Sequence, residues 1–100
     1  MIVVGVELPI NPDQRQRAID AALAMAAASE AEPGCIAYRF GADLADPNLF
    51  HLFECWESAE AMDAHMATPH MATFMQEAGS VLSGAPVGIR YDVASSASLF

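Results

Sequence analysis

Leu49-Phe50-His51-Leu52-Phe53-Glu54-Cys55-Trp56 is a strand-length run that is rich in apolar residues on both faces. With a period of two, Phe50, Leu52, Glu54 and Trp56 point one way. His51, Phe53 and Cys55 point the other way, and neither set makes a solvent face. A sheet built around this strand needs cover on both sides. The rest of the chain decides what supplies it.

Ile2, Val4, Val6, Leu8 and Ile10 alternate with Val3, Gly5, Glu7 and Pro9, which predicts a first strand. Pro9 removes a ladder donor near its end. Asn11-Pro12-Asp13 then opens a helix, with Asn11 as cap and Pro12 in the first turn. Ile19, Ala22, Leu23 and Ala26 are its expected buried stripe, and Glu32-Pro33-Gly34 ends it. Cys35 to Phe40 and Leu49 to Glu57 read as a hairpin across the loop Gly41 to Asn48. A loop centred near Ala45 sets Tyr38 opposite Leu52, Ile36 opposite Glu54 and Cys35 opposite Cys55, a register that one bulge would shift.

Ser58 caps a further helix, which Pro69 interrupts and Thr68 recaps. Met71, Phe74, Met75, Ala78 and Leu82 share one face of the second segment. Val87, Ile89, Tyr91 and Val93 alternate as a last strand. Residues 1–94 thus form one α+β domain, and 95–100 a C-terminal tail. The order β-α-β-β-α-β is the ferredoxin-like pattern with an antiparallel sheet. Its helices cover one sheet face only, so a second copy of the chain is the simplest cover for the other, giving a homodimer. The composition agrees, with 54% hydrophobic and 17% charged residues in 100.

Thirteen acids against four bases give a net charge of −9, which disfavours nucleic acid and anionic membranes as partners. There is no signal-peptide pattern and no apolar run long enough to span a membrane. Two cysteines are too few for a secreted disulfide scaffold, so the expected compartment is the cytoplasm.

Glu32-Pro33-Gly34-Cys35-Ile36-Ala37-Tyr38, then Asp46-Pro47-Asn48-Leu49-Phe50, then Glu54-Cys55-Trp56-Glu57-Ser58 with His65 nine residues after the tryptophan, form a spaced series. Thr68-Pro69-His70-Met71 completes it. Together these resemble the antibiotic biosynthesis monooxygenase domain family, from Met1 to about Val93. Met71 stands where that family more often has phenylalanine. The resemblance implies a dimeric α+β barrel. It also implies oxidation of a quinol, anthrone or related aromatic with dioxygen, without flavin, haem or metal. Haem-degrading relatives carry an asparagine on the first strand and a Trp/His pair in the later helices. Gly5 or Glu7, His65 and a residue near Met75 occupy those places here, so haem degradation is not implied.

Cofactor-free oxygenation asks for a base, a dry pocket and a donor for the developing oxyanion. Glu54, among apolar neighbours, is the first candidate base. Its alternative role is a structural carboxylate paired with His65, with Arg39 or Arg90, or with backbone donors. His65 is the second candidate, as base or as partner orienting Glu54. Tyr38, Phe50, Leu52, Trp56, Met62, Met71 and Phe74 are the candidate substrate-binding residues, and each serves equally well as core. His51, His65, His70 and Glu54 are ligand types without a recognisable metal spacing, so no metal is expected. Leu52 stands where an oxygenase would benefit from a polar donor. This keeps two further readings open: a non-catalytic dimeric module binding a small apolar ligand, and an isomerase or cyclase on the same barrel.

Overall fold

The first alternating run becomes strand β1, Ile2–Pro9, in a computed structural model that describes residues 1–100. A 3-10 turn, Pro12–Gln14, leads into helix α1, Arg15–Glu30. The hairpin follows as β2, Cys35–Ala42, and β3, Leu49–Trp56. Two helices, α2 (Ala59–Met66) and α3 (Pro69–Val81), precede the last strand β4, Val87–Asp92. The strands form one sheet in the order β2-β3-β1-β4, every neighbouring pair antiparallel. This is the expected ferredoxin-like arrangement.

Local chemistry sets the helix starts. Asn11 Oδ1 accepts from the Asp13 amide, Ser58 Oγ from Ala61 and Thr68 Oγ1 from Met71. Each satisfies an amide that has no partner within its own helix. Pro69 follows the Thr68 cap directly and breaks the second helical stretch in two, as expected.

The helices cover the sheet face that carries Ile2, Val4, Leu8, Tyr38, Phe50, Leu52 and Trp56, and these residues form the core with Ala18, Met25 and Val81. The buried stripe of α1 is Ala18, Ala22, Met25 and Ser29, not the expected one. Leu23 is 65% exposed. With so many alanines the helix has no sharply apolar side, and small residues let its backbone approach the sheet closely. On α3, Met75 likewise points outward and Val81 packs inward.

The hairpin register also differs from expectation. Tyr38 lies opposite Glu54, Phe40 opposite Leu52 and Ala42 opposite Phe50, two positions from the predicted pairing. The loop is centred on Asp46 rather than Ala45: Asp43 Oδ2 accepts from both the Ala45 and Asp46 amides, and Asp46 Oδ1 accepts from the Asn48 amide. A bulge at Ile36 then shifts the end of β2, so Cys35 faces Trp56 and Cys55 faces Ala37. Both cysteines are free thiols. Burial pushes the Cys35 thiol up from its ordinary value.

Gly34 makes the turn from α1 into β2 with φ +83°. A Cβ there would meet the Ala61 Cβ of α2 at 2.6 Å. The Gly34 carbonyl accepts from the Glu57 amide at 2.8 Å, so the turn is clamped against the start of α2. Gly34→Ala is expected to lower unfolding free energy by at least about 2 kcal/mol, the left-handed backbone penalty plus overpacking. Urea unfolding followed by Trp56 fluorescence measures it.

The second sheet face stays uncovered within one chain. Phe53, Val87, Ile89 and Tyr91 are exposed there, and with Gly5, Glu7, Arg39 and His51 they border a shallow hollow of about 390 Å³. No helix is long and apolar enough to cross a membrane.

Candidate active site

The end of β3 delivers Glu54 and Trp56 to the helix-covered face, and β2 delivers Tyr38 beside Glu54. Trp56 is 0% and Glu54 6% exposed. The Trp56 Nε1–H donates to Glu54 Oε1 at 3.0 Å. From α2, His65 enters at 1% exposure, its Nε2 3.9 Å from the same Glu54 oxygen. Its ring packs against that of Trp56 (centroids 4.6 Å apart) and that of Tyr38 (5.4 Å). The structure therefore brings Glu54, His65, Trp56 and Tyr38 into one group.

Glu54 is the only carboxylate among the buried residues. Burial pushes its carboxyl above the ordinary value, and the nearby Glu32 charge adds to this. The Trp56 hydrogen bond and His65 oppose the shift without cancelling it. Burial and the Glu54 charge also push the Tyr38 phenol up, so it stays a protonated donor at neutral pH. Neither arginine considered as a partner reaches Glu54: Arg39 pairs with Glu30 and Arg90 with Asp92.

Two residues not singled out for this site complete it. Glu32, just before the Gly34 turn, accepts at Oε2 from His65 Nδ1 at 2.7 Å and from His70 Nε2 at 2.8 Å. A carboxylate only accepts, so both ring nitrogens are assigned as donors. Glu32, His65 and His70 are also a ligand-type set, with donor atoms within 4.8 Å of one another. Glu32 Oε2 itself sits where both rings converge, at hydrogen-bond spacing rather than the wider spacing of ligands around an ion. His51 lies on the opposite face and bonds Asp43 at 2.9 Å, which holds the Asp43 carboxyl below its ordinary value.

The remaining candidates spread along the interior. Phe50 and Leu52 are buried in the core, and Met62, Met71 and Phe74 pack partly buried against it. Phe50 lies four residues along β3 from Glu54, about 13 Å away, with the Arg15 guanidinium 5.7 Å from its ring centre. It borders a cleft of about 140 Å³ with Ile19, Leu23 and Phe40. A second cleft, about 170 Å³, opens between α1 and α3, lined by Met25, His70, Thr73, Phe74 and Glu77 among others. The larger hollow on the open sheet face holds none of the Glu54 group. Chemistry and volume thus sit on opposite faces, and the buried ionisable groups mark the site better than a shallow surface of strand side chains does.

The sequence model of the antibiotic biosynthesis monooxygenase family matches residues 1–77. The chain belongs to this family. A relative in Bacillus subtilis named "Putative monooxygenase YcnE" is 28% identical over 89 residues, spanning 89% of this chain and 93% of that protein. Among solved structures, an antibiotic biosynthesis monooxygenase of Deinococcus radiodurans, described as putative, superposes with a TM-score of 0.91 at 20% identity. It covers 100% of this chain and 99% of its own. A Bacteroides thetaiotaomicron protein of unknown function, titled a possible oxidoreductase, gives 0.83 at 29% identity, covering 90% and 94%. Glu32, Tyr38, Glu54, Trp56, His65 and His70 all fall within the stretch that the family model matches.

Proposed function

We propose that the protein is a cofactor-independent monooxygenase that oxidises a quinol, an anthrone or a related polyketide-like aromatic with dioxygen. Family membership supports the class of reaction. The observation that carries the assignment to this chain is the buried Glu54 carboxylate, raised in proton affinity and held by Trp56 beside His65. A base of that kind suits a phenolic or benzylic proton. For an anthrone, Glu54 removes one proton from the reacting methylene, with His65 as its partner. The anion passes an electron to dioxygen, and recombination makes the carbon–oxygen bond. Loss of the second hydrogen as a proton breaks the oxygen–oxygen bond and leaves the quinone carbonyl, and the other oxygen atom departs as water, having taken up both protons removed from the carbon. Tyr38 steadies the developing oxyanion, while Phe50, Leu52, Trp56, Met62, Met71 and Phe74 hold the flat ring system.

A homodimer belongs to the same proposal. Phe53, Val87, Ile89 and Tyr91 give the open sheet face an apolar surface that a second copy would cover.

Cleft volume favours a second reading. Pockets for drug-sized ligands begin near ~300 Å³, above the 140 and 170 Å³ clefts on the helix side. A non-catalytic module for a smaller apolar ligand fits those volumes, as does an isomerase or cyclase that uses Glu54 without oxygen.

Oxygen-electrode assays with a panel of quinols and anthrones separate these. Uptake with formation of a quinone is expected. Product formed equally well under argon would mean an isomerase or cyclase, and tight binding with neither would mean the module. Sedimentation should give twice the chain mass, and a single-chain mass would remove the dimer.

A further inference from the structure

We propose that Glu32 and His70 form a proton path between His65, at the floor of the site, and the cleft between α1 and α3. This rests on the reading of Glu54 as the base. His65 is too buried to exchange protons with water directly, at 1% side-chain exposure. It does not end in apolar packing. Its Nδ1 is bonded to Glu32 at 2.7 Å, the same Glu32 oxygen is bonded to His70 at 2.8 Å, and His70 lines the cleft at 27% exposure. The rings of His65 and His70 lie 6.0 Å apart with that oxygen bridging them. A carboxylate oxygen and imidazole nitrogens can each accept a proton and pass it on, which apolar packing residues in these places could not do.

The transfers balance. Glu54, carrying the proton taken from substrate, gives it to His65 Nε2 once the 3.9 Å gap closes on substrate binding. His65, now an imidazolium, releases its Nδ1 proton to Glu32 Oε2. His70, open to the cleft, first exchanges its Nε2 proton for one on Nδ1 through water; it then takes the Glu32 proton on Nε2 and loses its Nδ1 proton to water or buffer. No electrons move, and the return of one proton inward along the same path, to the oxygen that leaves as water, restores the starting tautomers.

Exchange of the His65 Nδ1 proton with water, measured by NMR on the full chain, tests the path without a substrate. His70→Gln keeps a donor for Glu32 and much of the ring's bulk but carries no proton onward. It is expected to slow exchange by about ten-fold or more, and Glu32→Gln should do the same. Unchanged exchange in both folded variants would overturn the path. With an oxidised substrate in hand, His70→Gln should lower kcat in weak buffer at constant KM, and added imidazole should restore it. A loss that imidazole leaves untouched would reduce His70 to a structural role. If exchange slows but no member of the quinol and anthrone panel is oxidised, the path stands and the reading of Glu54 as an oxygenase base falls.

Discussion

Glu54→Gln is expected to lower turnover of an oxidisable quinol or anthrone by about 10²–10⁴-fold, the usual contribution of a positioned general base. The same substitution is expected to stabilise the fold at neutral and alkaline pH. The sign follows from the raised carboxyl. The native state holds this proton more tightly than the unfolded chain, so between the ordinary carboxylate value and the raised native one the native state binds more protons. Stability therefore falls as pH rises through that window, and the penalty persists above it. Glutamine carries no charge and still accepts from Trp56 through its carbonyl oxygen. The groups facing Glu54 are Trp56, His65, Tyr38 and, further off, Glu32. None supplies the fixed cation that would offset burial. Urea unfolding should show the variant's advantage growing from acid to pH 8. An advantage that does not change with pH, or unchanged turnover, would show that Glu54 is an ordinary structural carboxylate.

Trp56→Ala should have the largest effect on the fold, about 3–5 kcal/mol. The indole is wholly buried and touches three functions at once. It fills the core between the end of the sheet and α2, its ring packs against His65, and its N–H is the donor to Glu54. Truncation leaves a cavity and strips a buried carboxylate of its partner, which adds cost of its own. Since a domain of this size has about 5–15 kcal/mol in total, much of it would be gone, and the melting temperature should drop by more than about 12 °C. Trp56→Phe separates the two contributions, because it keeps most of the area and loses only the donor. Melting of Trp56→Ala within a few degrees of the parent would mean that the strand end is loosely packed.

The elements that local chemistry specifies were legible in the sequence. Asn11, Ser58 and Thr68 act within a few residues of themselves, and each caps the helix that it predicts. Alternation located the strands for the same reason. The face of α1 was not legible, because a helix so rich in alanine encodes no strong preference and the sheet chooses for it. The hairpin register was misplaced because the Asp43 and Asp46 side chains fix the loop centre. Within the site, Glu54, Trp56, Tyr38 and His65 were found because a carboxylate on an apolar strand face is conspicuous. Glu32 was not, since it meets His65 across 33 residues and His70 across 38. The one signal present was that Glu32-Pro33-Gly34 is a turn and Thr68-Pro69-His70 a capped helix start, two places where local chemistry restrains the backbone that carries a polar side chain.

The bulge at Ile36 works as a mechanical joint. On its loop side, Tyr38 is locked opposite Glu54 by the hairpin, and on its other side Gly34 is locked against Ala61 by the turn. One unpaired residue lets both constraints hold without agreeing in phase. The strand that carries Tyr38 and the arm that carries Glu32 can therefore change independently. A residue gained or lost in the Asp43–Asn48 loop would shift the sheet pairing and leave the arm in place, while one lost at Ile36 would straighten the strand and drag Glu32 away from both histidines.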